Sequence, residues 1–245
     1  MTDTLLLTLL IFTAALLYAS VGHGGASGYL AAMALFNLAP DVMKPTALVL
    51  NLFVAGVGTI RYAQAGCFSW NIFWPFAALS IPFAFLGGMW KLPAEAYKII
   101  LGLVLLFAAW RLVVRQSAHA SATQKPIMLP VALALGAAVG LLSGLTGVGG
   151  GIFLSPLLLL LGWASIRQTA GVSAAFILVN SIAGLLGHLE SVKSLPAQIF
   201  WWAPAALLGG ILGAELGSRR LTPHTMRRML AAVLVVAGLK MLLSH

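Results

Sequence analysis

The chain has 245 residues, of which 61% are hydrophobic and 8% charged, and its formal net charge at neutral pH is +9. Charged residues make up about a quarter of an ordinary soluble domain, so this composition excludes a soluble globular protein and predicts a multi-pass protein of the bacterial inner membrane. The basic residues stand in short loops between apolar runs, where they indicate orientation in the lipid bilayer rather than binding to nucleic acid. The single cysteine, Cys67, excludes an internal disulfide.

Ten apolar segments predict an all-α fold made of membrane helices. The first segment lacks the basic n-region of a secretory signal, and we expect it to be retained. In chain order the segments are 5–20, 27–38, 46–60, 71–90, 96–113, 128–143, 150–162, 169–187, 198–216 and 225–243.

The chain repeats a glycine-rich pattern after about 125 residues. VGHGGASG at residues 21–28 is followed by the similar TGVGGGIF at residues 146–153, and Asn51 has a counterpart in Asn180. A duplicated apolar pattern interrupted by glycine points to a transporter site. We predict a first transmembrane repeat over 1–114, a linker over 115–127 and a second repeat over 128–245.

The second segment of each half is too short to cross a membrane comfortably. Each has about a dozen residues, whereas a crossing helix needs about 20. The glycines before them mark the break, because glycine accepts backbone conformations that interrupt a helix. Each short segment is therefore a broken or re-entrant helix near the midplane, and the sequence leaves open whether it crosses fully or returns to its starting side.

Both alternatives give each half an odd number of passes, so the second half enters the membrane inverted. With that parity every arginine falls on one side, and the positive-inside rule makes this side cytoplasmic. The loops 111–125 and 219–228 are then cytoplasmic and both termini periplasmic. In the competing eight-pass parallel arrangement, the first two segments of each half form one broken pass. Five tryptophans are expected near the membrane interfaces: Trp70, Trp90, Trp163, Trp201 and Trp202.

The glycine breaks are candidates for an anion site. The helix after each break begins with unpaired N–H groups and the positive end of its dipole, so two such ends near the midplane offer about one compensating charge. Close helix packing by small residues is the competing interpretation. No strand precedes either cluster, which argues against a nucleotide-binding loop. The glycines concerned are Gly22, Gly24, Gly25, Gly147, Gly149 and Gly150.

Several polar residues accompany the breaks. His23 has no counterpart in the second half, where Val148 stands, and it can titrate during transport or serve as a structural histidine. Ser27, Ser143 and Thr146 can donate hydroxyls to an oxyanion or bond back to helical carbonyls.

The two asparagines and one acidic residue lie within predicted helices. Asn51 and Asn180 can join helices or contact substrate. Glu215 is interpreted as the partner of Arg219 one turn later, with proton coupling as the alternative. The chain offers no paired carboxylates, no zinc-spaced histidines and no nucleophile with a base, so an enzyme is disfavoured and neither metal nor cofactor is expected.

In these residues the chain resembles the sulfite exporter TauE/SafE family, also called the TSUP family, over essentially its whole length. Both glycine breaks, the Pro45-Thr46 pair before Asn51, and the Pro93 and Pro223 helices carry the resemblance, although residues 23–26 read HGGA instead of three successive glycines. The resemblance implies a secondary transporter for small sulfur-containing anions, such as sulfite or organosulfonates, with coupling to a proton or sodium gradient. An uncoupled anion channel is the alternative.

Overall fold

A computed structural model describes residues 2–36, 38–90, 124–188 and 195–222, together with single positions within 93–110 and 225–243. Every regular element in the described ranges is a helix, which confirms the all-α prediction. In chain order these are α1 (Thr2–Ala19), α2 (Ala26–Leu35), α3 (Pro40–Gln64), α4 (Trp70–Met89), α5 (Leu129–Thr146), α6 (Gly151–Leu161), α7 (Ile166–Gly187) and α8 (Ile199–Glu215), which continues as one π-helical turn (Leu216–Arg220). The predicted segments 96–113 and 225–243 fall largely outside the described residues.

Five of the described helices are long and apolar enough to cross a membrane. They are α3, α4, α5, α7 and α8 with its π-helical turn, each with a span of at least 18 residues. This confirms the prediction of a multi-pass membrane protein.

α2 and α6 are short, as predicted, with 10 and 11 residues. At about 1.5 Å per residue, neither covers more than about half of a 30 Å hydrocarbon layer. The backbone N–H of Lys125, just before α5, donates to the carbonyl of Gly162, just after α6, at 3.0 Å. The start of α5 and the end of α6 therefore lie at the same end of the bundle.

α2 folds back on α1 in the same way, because a Cβ on Gly28 would lie 2.8 Å from the Cβ of Ala14 and 3.2 Å from the ring of Tyr18. Of the alternatives that the sequence leaves open, these contacts favour re-entrant hairpins. They oppose the arrangement in which each hairpin is one broken pass.

α3 begins earlier than predicted. The Pro45-Thr46 pair suggests a helix start, yet the helix begins at Pro40 and continues through Pro45. The first N–H groups of a helix have no intrahelical partner, so Pro40 starts the helix without losing a hydrogen bond. Pro45 removes one bond in the second turn, and the helix tolerates this.

Helix packing is similar in the two halves. α4 packs along α5, and α1 packs along α8. The two contacts are equivalent if α1 corresponds to α5 and α4 corresponds to α8 in the two halves. α3 and α7 are antiparallel, because Leu48 faces Gly184, Asn51 faces Ser181 and Gly58 faces Ala174. This packing favours an inverted repeat, which stays a prediction, as do the repeat boundaries.

Two rows of glycines allow these helices to approach closely. A Cβ on Gly136, Gly140 or Gly144 of α5 would collide with the α4 backbone, and one on Gly209, Gly213 or Gly217 would collide with the backbone at Phe12, Leu16 or Ser20. A spacing of four residues places small residues on one helix face, which is the usual basis of close packing in membranes. Glycine packing is therefore present, but mainly outside the two breaks.

Three arginines meet at one end of the bundle, here called the arginine end. Glu215 pairs with Arg219 at 3.3 Å, as predicted, and also with Arg61 at 3.5 Å. Arg167 donates to the carbonyls of Ser218 at 2.6 Å and Leu221 at 3.0 Å. Lys44 lies near the other end of α3. For these three arginines, the structure agrees with the predicted sorting to one side.

The five tryptophans differ in exposure, and their expected position near the membrane interfaces stays a prediction. Trp70, Trp90 and Trp201 are exposed, whereas Trp163 and Trp202 are buried. The ring of Trp163 packs on Phe76 with centroids 6.0 Å apart, so it fills space between helices. Proximity to a segment end does not specify which side of the helix a ring occupies.

Cysteine labelling in intact cells tests the membrane orientation. In a Cys67→Ser background, single cysteines at Gln124 and Thr222 should react only after the cells are opened, whereas one at Gln198 should react from outside. All three positions are exposed, and none changes a charge. Labelling of Gln124→Cys and Thr222→Cys from opposite sides would overturn the inverted topology.

Candidate functional site

The two glycine breaks lie side by side at the middle of the bundle. A Cβ on Gly24 would fall 2.8 Å from Asn51 Cγ and 3.0 Å from Ile177 Cγ2, and one on Gly149 would fall 2.8 Å from both Asn51 Nδ2 and Ile177 Cγ2. Asn51 and Ile177 lie near the midpoints of α3 and α7. The breaks therefore converge on one point, as expected of a shared site.

Backbone conformation explains why these segments need glycine. Positive φ angles occur at Gly22, Gly25, Gly147, Gly149 and Gly150, between 72° and 97°. L-residues with side chains rarely adopt this region. The chain thus turns sharply at each break, and α2 and α6 start there with N–H groups that have no intrahelical partner.

The other glycines of the breaks have separate neighbours. Gly22 lies against the backbone of Ala170, Gly25 against the ring of Tyr29, Gly147 against Lys44 and Gly150 against Ser143 and Phe176. The Tyr29 hydroxyl also donates to the carbonyl of Gly24 at 2.7 Å. These contacts fix the shape of the breaks, and only Gly24 and Gly149 lie against Asn51.

Asn51 joins the two halves at this point. Its Nδ2 donates to the carbonyl of Val148 at 3.4 Å and to Ser181 Oγ at 3.3 Å, while its Oδ1 is buried without a partner. Because the carbonyl of Val148 can only accept, it fixes the orientation of the amide. Asn51 thus bonds to other helices, which is one of its two predicted roles. Its Oδ1 is left as an unused hydrogen-bond acceptor.

Asn180 behaves differently from Asn51 although the sequence gives them matched positions. Its Nδ2 donates to the carbonyl of Phe176 in its own helix at 2.8 Å, and its Oδ1 is buried without a partner. Its described hydrogen bond stays within α7, so the predicted interhelical bonding is not found among the described residues, and a contact between Asn180 and substrate stays a prediction.

His23 lies in the first break and contacts the second hairpin. Its Nε2 is 2.9 Å from Ser155 Oγ and 3.2 Å from the carbonyl of Gly151, and Ser155 Oγ is 2.8 Å from Ser173 Oγ. The side chain is buried, its Nδ1 has no hydrogen-bond partner, and the ring of Tyr18 approaches it edge-on at 6.4 Å. Sequence reasoning missed Ser155 and Ser173.

The three predicted hydroxyl residues are all buried near the breaks. Thr146 closes a local turn, since its Oγ1 lies 3.4 Å from the carbonyl of Ser143 and accepts from the N–H of Val148 at 3.3 Å. Ser143 Oγ, by contrast, has no hydrogen-bond partner. Ser27 lies in the first turn of α2. Thr146 therefore bonds to nearby backbone, and substrate contacts by Thr146, Ser27 and Ser143 stay predictions.

Comparison with known proteins gives one consistent result. The family model described as "Sulfite exporter TauE/SafE" matches residues 7–241. The chain is 43% identical to the probable membrane transporter protein y4hK of Sinorhizobium fredii, over 98% of this chain and 99% of that protein. It is 27% identical to the probable membrane transporter protein MJ0441 of Methanocaldococcus jannaschii, over 98% and 96%. It is 26% identical to the probable membrane transporter protein YjnA of Bacillus subtilis, over 90% and 92%. No solved structure gives a significant match.

Proposed function

Because the chain belongs to the sulfite exporter TauE/SafE family and is a membrane transporter of that type, we propose that it is a secondary transporter for small sulfur-containing anions of the sulfite or organosulfonate class. The proposed site consists of the two glycine breaks and Asn51 between them. The protein is placed in the inner membrane of a bacterium, in keeping with its relatives and its five apolar spans.

The convergence of the breaks on Asn51 is the observation that supports this proposal most. Two helices begin at the breaks, and each contributes roughly half a positive charge at its N-terminus. Their first N–H groups can donate to an oxyanion, as helix N-termini do at other anion sites. Sulfite and sulfonates have several oxygens around one sulfur, so a single ligand can accept from both breaks.

Packing around the site supports alternating access. At the arginine end, the Tyr62 hydroxyl lies 2.9 Å from the carbonyl of Ser20 and 3.2 Å from that of Ala19, and donates to them. Toward the other end, Gly147 packs on Lys44. Contacts between the hairpins and α3 thus lie on both sides of the midpoint, and a carrier would open them in turn.

A counterflow experiment separates a carrier from an uncoupled channel. We expect labelled sulfite to enter proteoliposomes several-fold faster when they contain unlabelled sulfite, with a rate that saturates at high concentration. A carrier exchanges ligand for ligand, whereas a channel does not. Uptake is measured under anaerobic conditions, with protein-free liposomes as the control.

Two outcomes would contradict the proposal. Sustained sulfite current without stimulation by internal sulfite would indicate a channel. If sulfite, thiosulfate and methanesulfonate neither exchange nor raise the thermal stability of the protein, the substrate class is wrong.

A further inference from the structure

The contacts of His23 determine which ring nitrogen carries hydrogen. The carbonyl of Gly151 can only accept, so Nε2, 3.2 Å away, must donate to it. Ser155 Oγ, 2.9 Å from the same nitrogen, can accept as well and still donate to Ser173. In the neutral ring Nδ1 is then a bare lone pair, and it is buried without a partner in a side chain that is 3% exposed.

Asn51 presents a second unused acceptor to the same break. Since Nδ2 faces the carbonyl of Val148, Oδ1 is the free atom of the amide, and it lies against Gly24, the residue after His23. A bare anion has lone pairs only and cannot satisfy either acceptor. A buried acceptor without a donor is costly, so a proton bound at one of these atoms together with the anion would offset part of that cost.

The surroundings of His23 offer no charge to balance an imidazolium. The described groups that contact the ring are Tyr18 from α1 and, from α6, the carbonyl of Gly151 and the hydroxyl of Ser155, which in turn bonds to Ser173 of α7. Among the described residues, no carboxylate or cation contacts the ring. A buried charge without a partner is strongly unfavourable. A proton on the ring and an anion beside it therefore stabilise each other.

We infer that the site takes up its sulfur anion together with one proton, which is held at Nδ1 of His23. This inference rests on the proposed function. The proton comes from solvent and adds to the Nδ1 lone pair while Nε2 keeps its hydrogen, so the ring gains one positive charge. With a monoanion the bound pair is electrically neutral, and release returns both anion and proton to solvent. Ser155 and Ser173 are positioning residues that hold the ring through Nε2.

Proton uptake on binding tests this inference directly. Purified protein is titrated calorimetrically with methanesulfonate or thiosulfate at neutral pH in buffers of different ionisation enthalpy. Neither probe carries a proton at that pH, so any proton taken up binds to the protein. We expect about one proton per anion bound, and the same value when potassium replaces sodium.

Matched variants locate the proton. His23→Gln should bind the probes more weakly and without proton uptake, whereas His188→Gln, at the other described histidine, should match the parent. Ser155→Ala should keep proton uptake but require a lower pH for it, because one acceptor for Nε2–H is lost. Ser155→Thr should restore the parent profile.

The results distinguish this inference from the proposed function. Binding of either probe by the parent without proton uptake, or binding that requires sodium, overturns the inference and leaves the proposed transporter intact. Failure of sulfite and both probes to bind or exchange contradicts the proposed function itself.

Discussion

Replacing Gly24 by valine is expected to abolish anion transport while leaving a folded protein in the membrane. The new side chain would meet the side chains of Asn51 and Ile177, which can move, and no backbone atom is among its nearest neighbours. The amide of Asn51 is displaced and the branched side chain blocks the approach of the anion. Loss of one hydrogen bond to a charged ligand costs roughly 1.5–3 kcal/mol, so affinity should fall at least about tenfold.

Gly149→Val should have the same effect on transport and a larger effect on stability, because Gly149 has a φ of 83°. Calorimetric titration and proteoliposome uptake measure the two losses. Gly56→Val is the matched control, since nothing lies within 4 Å of the position of its Cβ. Unchanged affinity and uptake in Gly24→Val would remove the first break from the site.

Replacing Gly140 by isoleucine is expected to prevent correct packing of α4 against α5. A Cβ there would lie 2.7 Å from the carbonyl carbon of Ser80, and backbone cannot rotate away as a side chain can. Gly213→Ile should disturb α1 and α8 in the same way, with a Cβ 3.0 Å from the carbonyl carbon of Leu16. Overpacking costs about 1–3 kcal/mol, which for a chain of this length lowers the thermal midpoint by roughly 2–12 °C.

Thermal unfolding and gel filtration of the detergent-solubilised variants provide the measurement. Gly56→Ile again controls for the substitution itself, because its side chain enters open space. A Gly140→Ile protein that elutes as one species and unfolds at the parent temperature would show that α4 and α5 can separate without loss of structure.

Much of the fold was predictable because the deciding signals are local. Clusters of glycine interrupt apolar runs, so the breaks and the short helices after them follow from the residues at their ends. The pair between Glu215 and Arg219 follows from a spacing of four, whereas the added contact with Arg61 depends on how α3 packs against α8. The rows that begin at Gly136 and Gly209 carry the same spacing of four residues in the sequence.

The side-chain partners at the site were less predictable, because they depend on helix rotation and rotamers. Ser155 is the only polar residue in α6, which was a usable signal, but its pairing with Ser173 depends on how α6 is turned toward α7. Matched spacing suggested equivalent roles for Asn51 and Asn180. One amide reaches across the bundle and the other bonds to its own helix, and the repeat spacing does not distinguish these outcomes.

The unequal bonding of Asn51 and Asn180 has a consequence for the empty protein. In a carrier built from inverted repeats, the outward-facing and inward-facing states are related by exchange of the two halves, and identical halves would make the states equally populated. In the proposed carrier the two halves are not identical, because the Asn51 amide bridges them whereas the Asn180 amide bonds within its own helix.

A single net hydrogen bond is worth about 0.5–1.5 kcal/mol, which corresponds to a resting ratio of roughly two- to tenfold between the two states. A ligand arriving on the less populated side finds fewer proteins ready to accept it, and its apparent affinity there is lower by that fraction. For the proposed carrier, the initial rates of import and export should then differ under gradients of equal size, because one of the two unliganded states is more populated.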